Sequence, residues 1–181
     1  MISEDNLALR RIRNTGADMK LLADWLSDPG VLEYVYGEGA PWDTEKVKRV
    51  FGDKTEDGGG EAGCFIVLDG KEIGYMQYYP IREDSYKFND RDTYIRLKPG
   101  FGIDMFIGKP ELWDKGIGSR AVGLITEYLK NTYNIPLLCA DPETGNARAV
   151  HFFQKVGFER IDIVENYDDR TKQSFLTVKN I

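Results

Sequence analysis

Two neighbouring runs carry residues with chemical potential: Asp104-Met105-Phe106-Ile107-Gly108, and Trp113-Asp114-Lys115-Gly116-Ile117-Gly118-Ser119-Arg120. The first has β character and holds one acid. The second is a glycine-spaced turn opening an amphipathic helix. Glycines at a helix opening leave backbone N–H groups unobstructed at the positive end of the helix dipole, which suits a phosphate or pyrophosphate. The N–H groups from Lys115 to Arg120 are positioned to hold such a group, and Lys115 and Arg120 add positive charge. Asp104 then lies beside whatever the phosphate-bearing ligand delivers. Taken alone, Gly116-x-Gly118 also reads as a tight strand-to-helix turn.

The elements that position these residues follow from periodicity and turn signals. A strand is predicted over 7–13. A helix over 19–26 has Met19, Leu22, Trp25 and Leu26 at helical spacing, and Asp28-Pro29-Gly30 ends it. A short aromatic segment covers 31–36. Asp43 or Thr44 caps a helix running to Phe51. Residues 53–60 read as an exposed loop. Asp69-Gly70 joins strands over 64–68 and 73–81 in a hairpin. Residues 82–93 form a long polar segment, and 94–108 contain a strand broken near Pro99-Gly100. The best helix covers 117–130, with Ile117, Ala121, Leu124, Ile125 and Tyr128 as its apolar stripe. A buried strand over 136–140 precedes a helix over 146–156, with Asn146 as N-cap and Gly157 as C′ residue. Strands over 158–164 and 173–178 close the chain. Hairpins followed by alternating strands and helices predict an α/β or α+β fold. Its central sheet is mixed and mostly antiparallel, flanked by helices, and not the all-parallel sheet of a dinucleotide-binding domain.

A length of 181 residues predicts one domain spanning 1–181. Hydrophobic residues make up 41% and charged residues 30%, the balance of a globular protein and not of a disordered one. No apolar run is long enough for a membrane span, and residues 1–13 lack the apolar region of a signal peptide. Cys64 and Cys139 lie in apolar runs without metal-ligand spacing and read as reduced core thiols, so the expected location is cytoplasmic. No metal is expected. The net charge of −6 disfavours nucleic acid and favours a cationic partner or simple solubility. In 82–93, Glu83, Asp84, Asp90 and Asp92 interleave with Tyr86 and Phe88, and Glu38 sits in an aromatic stretch. Acids hold ammonium groups and aromatic faces cover sugars or cations, so Glu38, Asp84, Asp90 and Asp92 are candidate acceptor residues. A solvated loop is the other reading of the same segment.

Further along, Asp141-Pro142 and Asn146-Ala147-Arg148-Ala149-Val150 lead to Phe153-Gln154-Lys155-Val156-Gly157-Phe158. Together with the Gly116-Gly118 turn, this block resembles the GCN5-related N-acetyltransferase (GNAT) superfamily. The resemblance implies a mixed sheet with splayed central strands and acetyl-CoA as co-substrate. It assigns coenzyme contacts to Met105, Phe106, Ile107, Lys115, Gly116, Ile117, Gly118, Ser119, Arg120, Asn146 and Phe153. Trp113 stands where Gln or Arg is typical. Within the superfamily the sequence is similar to the aminoglycoside 6′-N-acetyltransferases. Trp25-Leu26 with Val31-Leu32-Glu33-Tyr34, Ile73-Gly74-Tyr75-Met76-Gln77, Gly102-Ile103-Asp104, Trp113 through Gly118, and Asp141-Pro142 with Asn146, Arg148 and Ala149 carry that likeness. Siderophore-assembly acyltransferases share parts of it. The likeness implies that Asp104 contacts the reacting amine and that Asp141 helps form the aminoglycoside site.

A primary amine is largely protonated at neutral pH and must lose a proton before it attacks a thioester. Asp104, with a reference pKa of about 3.9, is a weak base that serves best by orienting the ammonium and passing its proton through water. Phe153 occupies the position where many relatives carry a tyrosine, so a phenol proton donor is missing there. Tyr128 and Tyr133 are the nearby phenols in sequence. His151, the only histidine, lies off its helix's apolar stripe and reads as a surface residue. The expected partner is a polycationic aminoglycoside, with the protein a monomer or homodimer. The alternatives are acylation of another amine (a siderophore precursor, a polyamine or a protein N-terminus) and a non-catalytic acyl-CoA-binding domain.

Overall fold

The computed structural model describes residues 2–35, 41–55, 60–166 and 171–181. The chain divides into two compact units: Met1–Tyr78 with Asp104–Ile125, and Tyr79–Ile103 with Thr126–Ile181. Three elements contribute residues to both: β4 (Lys71–Pro80), β5 (Phe101–Ile107) and α5 (Ile117–Tyr133).

In the first unit, β1 (Ile2–Glu4), β2 (Leu7–Arg11), β3 (Ala62–Leu68) and β4 pair in order, all antiparallel. The β3–β4 turn has φ of +50° at Asp69 and +75° at Gly70, the left-handed pair that a two-residue hairpin needs. Helix α1 (Gly16–Leu26) is capped by Thr15, whose Oγ1 accepts from the Asp18 N–H at 3.2 Å, and α2 (Pro29–Val35) follows it. Asp43 caps α3 (Thr44–Phe51) by accepting from the Lys46 N–H at 2.7 Å. Met19, Leu22, Trp25 and Leu26 of α1 bury their side chains with Val47, Phe51, Phe65 and Tyr75 in one core, so the predicted helical stripe is the buried face. Arg10 ties this core's rim: its guanidinium bridges Asp18 at 2.9 Å and Glu72 at 3.0 Å.

In the second unit, β5 pairs with β6 (Leu137–Ala140) in parallel, over Phe101↔Leu138 and Gly102↔Cys139. Beyond β6 lie β8 (Gln173–Asn180) and then β7 (Glu159–Glu165), both pairings antiparallel. Helix α4 (Arg91–Leu97) and helix α6 (Ala147–Lys155) complete the unit. Ile81, Tyr86, Leu97, Leu137, Cys139, Val164, Leu176 and Val178 form its core. The architecture is thus the expected mixed α/β one with mostly antiparallel pairing. The central parallel register is two residue pairs long, as splayed strands require.

One local expectation changes, and two elements stand where none was assigned. Residues 94–97 belong to a helix and not to a strand: Tyr94 and Leu97 turn inward at helical spacing, while Ile95 between them is 46% exposed. The aromatic segment 31–35 is helical, continuing from Pro29, which suits the first helical position because it lacks an N–H to satisfy. Strand β1 is three residues long, too short for its alternation to register in the sequence. Cys64 and Cys139 are buried and free, as expected. Burial pushes the Cys64 thiol up to about 11 and the Cys139 thiol further in the same direction. No described helix is long and apolar enough to cross a membrane.

Candidate functional site

Asp104 lies on β5 and is half-buried. Alternation along a strand puts Asp104 and Phe106 on one face and Met105 and Ile107 on the other. The same rule puts Tyr75 and Gln77 together on β4. The two faces meet. The Gln77 Nε2 donates to Asp104 Oδ2 at 2.5 Å, and the Tyr75 hydroxyl donates to Gln77 Oε1 at 2.9 Å. One step along, the Tyr75 and Phe106 rings pack at 5.8 Å, and Trp25 meets Phe106 edge-on at 6.2 Å. Close approach of the strands depends on Gly74: a Cβ there would lie 2.4 Å from the Phe106 carbonyl oxygen. The Gly108 N–H closes the pair by donating to Ile73 O at 2.8 Å.

The glycine-spaced turn joins β5 to α5. Gly116 has φ +77°, a conformation that L side chains avoid, and its Cβ position faces open space. The first bond of the α5 ladder runs from the Arg120 N–H to Gly116 O at 3.2 Å, so the N–H groups of Ile117, Gly118 and Ser119 precede it. No acid occupies the first turn of α5, and Lys115 just before it is exposed. These features fit a pyrophosphate at the helix start. The Arg120 guanidinium has a protein partner, donating to Asn6 Oδ1 at 3.0 Å, while the Asn6 amide donates to Asp69 at 3.0 Å.

Trp113 explains its own departure from the usual Gln or Arg. Its indole N–H donates to Ile107 O at 2.8 Å, satisfying the last carbonyl of β5, and its ring meets Tyr34 edge-on at 5.6 Å. The residue anchors the turn to the strand end.

In the second unit, Asn146 caps α6 by accepting from the Ala149 N–H at 3.0 Å, and Gly157 has φ +92°, so both predicted helix boundaries hold. Phe153 is buried against Phe152 and Phe158 at 5.2 and 5.1 Å. Asp141 is half-buried at the end of β6, where the following segment is bound to β8 by the Phe175 N–H to Pro142 O and the Thr144 N–H to Gln173 O. Asp84 is exposed in a turn closed by the Ser85 N–H to Arg82 O at 3.0 Å. Asp90 caps α4: Oδ1 accepts from the Thr93 N–H at 2.7 Å and Oδ2 from the Thr93 hydroxyl at 2.9 Å. These bonds hold its carboxyl below the usual range. Asp92 is exposed in the first turn of α4. His151 is exposed, as read. Tyr133 stacks on Phe101 at 5.0 Å and meets Tyr128 edge-on at 6.3 Å. Glu38 lies outside the described residues.

The first unit therefore brings together Asp104, Phe106, Gln77 and Tyr75. Sequence reasoning gave no role to Tyr75 or Gln77, although β4 alternation already set both on one face.

The family model described as an acetyltransferase (GNAT) domain matches residues 14–166. Aminoglycoside N(6')-acetyltransferase type 1 of Klebsiella pneumoniae is 26% identical over 187 residues, covering 99% of this chain and 90% of the relative. The enzyme of the same name from Serratia marcescens is 27% identical, covering 96% and 87%. Among solved structures, AAC(6')-Ib in complex with paromomycin and acetyl-CoA superposes with a TM-score of 0.76 at 24% identity, covering 97% of this chain and 94% of that one.

Proposed function

The chain belongs to the GNAT acetyltransferase family, and from that premise we propose that it transfers the acetyl group of acetyl-CoA to the 6′-amine of aminoglycoside antibiotics, conferring resistance in the cytoplasm. The observation that carries this reading is the Asp104 carboxylate on β5, the strand that precedes the glycine turn, held by Gln77 of β4. Likeness to two named 6′-acetyltransferases over nearly the whole chain supports the acceptor class. The family match spans residues of both compact units, which supports one functional domain.

The backbone N–H groups from Lys115 to Ser119 bind the coenzyme pyrophosphate, the Arg120 N–H being taken up by Gly116 O, and Met105, Phe106 and Ile107 lie along its arm. Asn146 and Phe153 contribute from the second block. Asp104 orients the acceptor ammonium and takes its proton through water. The neutral nitrogen attacks the thioester carbonyl carbon, the C–S bond breaks, and the sulfur leaves as thiolate. Phe153 offers no proton, so the thiolate takes its proton from solvent. Asp84, Asp92 and Asp141, with Glu38, supply negative charge for the remaining ammonium groups of the acceptor.

The test is CoA release with kanamycin and tobramycin, beside a gentamicin component lacking a free 6′-amine. Turnover with the first two and none with the third is expected. Turnover with polyamines or peptide N-termini instead moves the assignment to another amine, and no turnover with any amine leaves a binding domain.

A further inference from the structure

We propose that Tyr75 and Gln77 form a positioning relay, seated on Gly63, that fixes the orientation of the Asp104 carboxylate for the acceptor amine. The inference rests on the proposed acetyl transfer and adds to it two residues with no assigned part.

Polarity along the chain of bonds runs one way. A carboxylate only accepts hydrogen bonds, so the Gln77 amide must present Nε2 to Asp104. Its Oε1 then points back to Tyr75, whose hydroxyl must donate. The observed bonds, Tyr75 Oη to Gln77 Oε1 at 2.9 Å and Gln77 Nε2 to Asp104 Oδ2 at 2.5 Å, have this sense. Tyr75 is 2% exposed, and its ring is met edge-on by Phe51 at 5.0 Å and at a tilt by Phe106 at 5.8 Å. A buried phenol with its ring held on two sides is a fixed donor, and a fixed donor selects one of the two orientations of the glutamine amide. Without it, Oε1 loses its partner and the amide is less firmly held in the position from which Nε2 reaches the carboxylate.

Gly63 supplies the space. It pairs with Gln77 across β3 and β4, and a Cβ on it would lie 2.7 Å from the Tyr75 hydroxyl and 2.9 Å from its ring. Glycine within a strand weakens it, and marks places where another group must come close. Here the Tyr75 phenol comes closest, with the Ile12 side chain beside it at 2.9 Å.

Four substitutions, singly and in two pairs, and two readouts test the relay. Tyr75→Phe keeps the ring and removes the donor, Gln77→Leu removes the amide, and Gly63→Ala displaces the phenol. Each is expected to lower kcat three- to tenfold while leaving KM for acetyl-CoA within twofold. Tyr75→Phe combined with Gln77→Leu should be no slower than Gln77→Leu alone, because the phenol acts only through the amide. In an Asp104→Asn background, Gln77→Leu should change kcat by less than twofold. Independent, multiplying effects in either pair would overturn the relay.

The second readout needs no turnover. In the 1H–15N spectrum, the Gln77 side-chain amide, assigned by its loss in Gln77→Leu, should shift on Tyr75→Phe and on Asp104→Asn. An amide signal indifferent to both changes overturns the relay even if the enzyme turns over. A coupled amide in a protein that acetylates no amine sustains the relay geometry and defeats the functional reading instead.

Discussion

At the scale of single residues, the proposed function rests on the carboxylate on β5. Asp104→Asn keeps the side-chain shape and removes its charge. Turnover is expected to fall roughly 10²-fold, within the range usual for a residue that moves a proton. Acetyl-CoA affinity by calorimetry should stay within twofold; near wild-type turnover would reduce Asp104 to a structural acid. Asp18 makes a contrasting case, an acid devoted to stability. Burial disfavours its charge, but the Arg10 guanidinium and the Arg13 N–H, at 2.9 and 2.8 Å, outweigh that and hold its carboxyl below the usual range. A depressed folded-state value gives stability that is present above the unfolded-state value of about 3.9 and is lost as pH falls through the folded one. Urea midpoints should therefore decline below about pH 4, and Asp18→Asn should flatten that decline while lowering stability at pH 7. An unchanged acid limb in the variant would remove Asp18 from the account. Asp104 was legible in the sequence because an acid in an apolar strand beside a glycine turn is conspicuous. Tyr75 and Gln77 were not, because their meeting with Asp104 depends on how β4 lies against β5, which a single sequence does not encode locally.

At the scale of elements, the long periodic segments were the legible ones. Helix α5, helix α6 with its Asn146 cap, the Asp69-Gly70 hairpin and the α1 stripe all stand where the pattern put them. Helix α4 was missed because seven residues give barely two turns of periodicity, and its cap, Asp90, resembles any other acid in a polar run. The turn before α5 and the crossing at Gly74 separate two uses of glycine that look alike in sequence. Gly116→Ala meets open space but must keep φ near +77°, costing about 1 kcal/mol of conformational strain. Its main effect should be on the coenzyme: a weakening of acetyl-CoA binding by about tenfold, equal to about 1.4 kcal/mol. Gly74→Ala instead forces a Cβ to within 2.4 Å of the Phe106 carbonyl oxygen, so stability should drop by on the order of 2 kcal/mol as β4 and β5 are pushed apart. Denaturation and calorimetry on both variants distinguish the two. A Gly116→Ala protein with full coenzyme affinity would move the pyrophosphate away from this turn.

At the scale of the whole molecule, net charge is the feature that sequence alone delivers without structure. A chain at −6 attracts polycations from a distance, and an aminoglycoside carries several ammonium groups. Attraction between exposed charges is screened over about 8 Å at physiological ionic strength. The apparent KM for kanamycin should therefore rise with added salt, while KM for acetyl-CoA, whose proposed pyrophosphate site is the backbone N–H groups at a helix start, should change less. The individual acids are not equivalent in this test. Asp90 spends both carboxylate oxygens on its own helix, so neutralising it would loosen α4 as well as remove charge. Asp84 and Asp92 are exposed and are the cleaner pair. Asp84→Asn with Asp92→Asn should raise the kanamycin KM and flatten its salt dependence, with kcat at saturation little changed. A salt-independent KM in the wild-type protein would mean that short-range contacts alone select the acceptor. A double variant with the full wild-type salt slope would locate the attraction in other acids, Asp141 foremost among them.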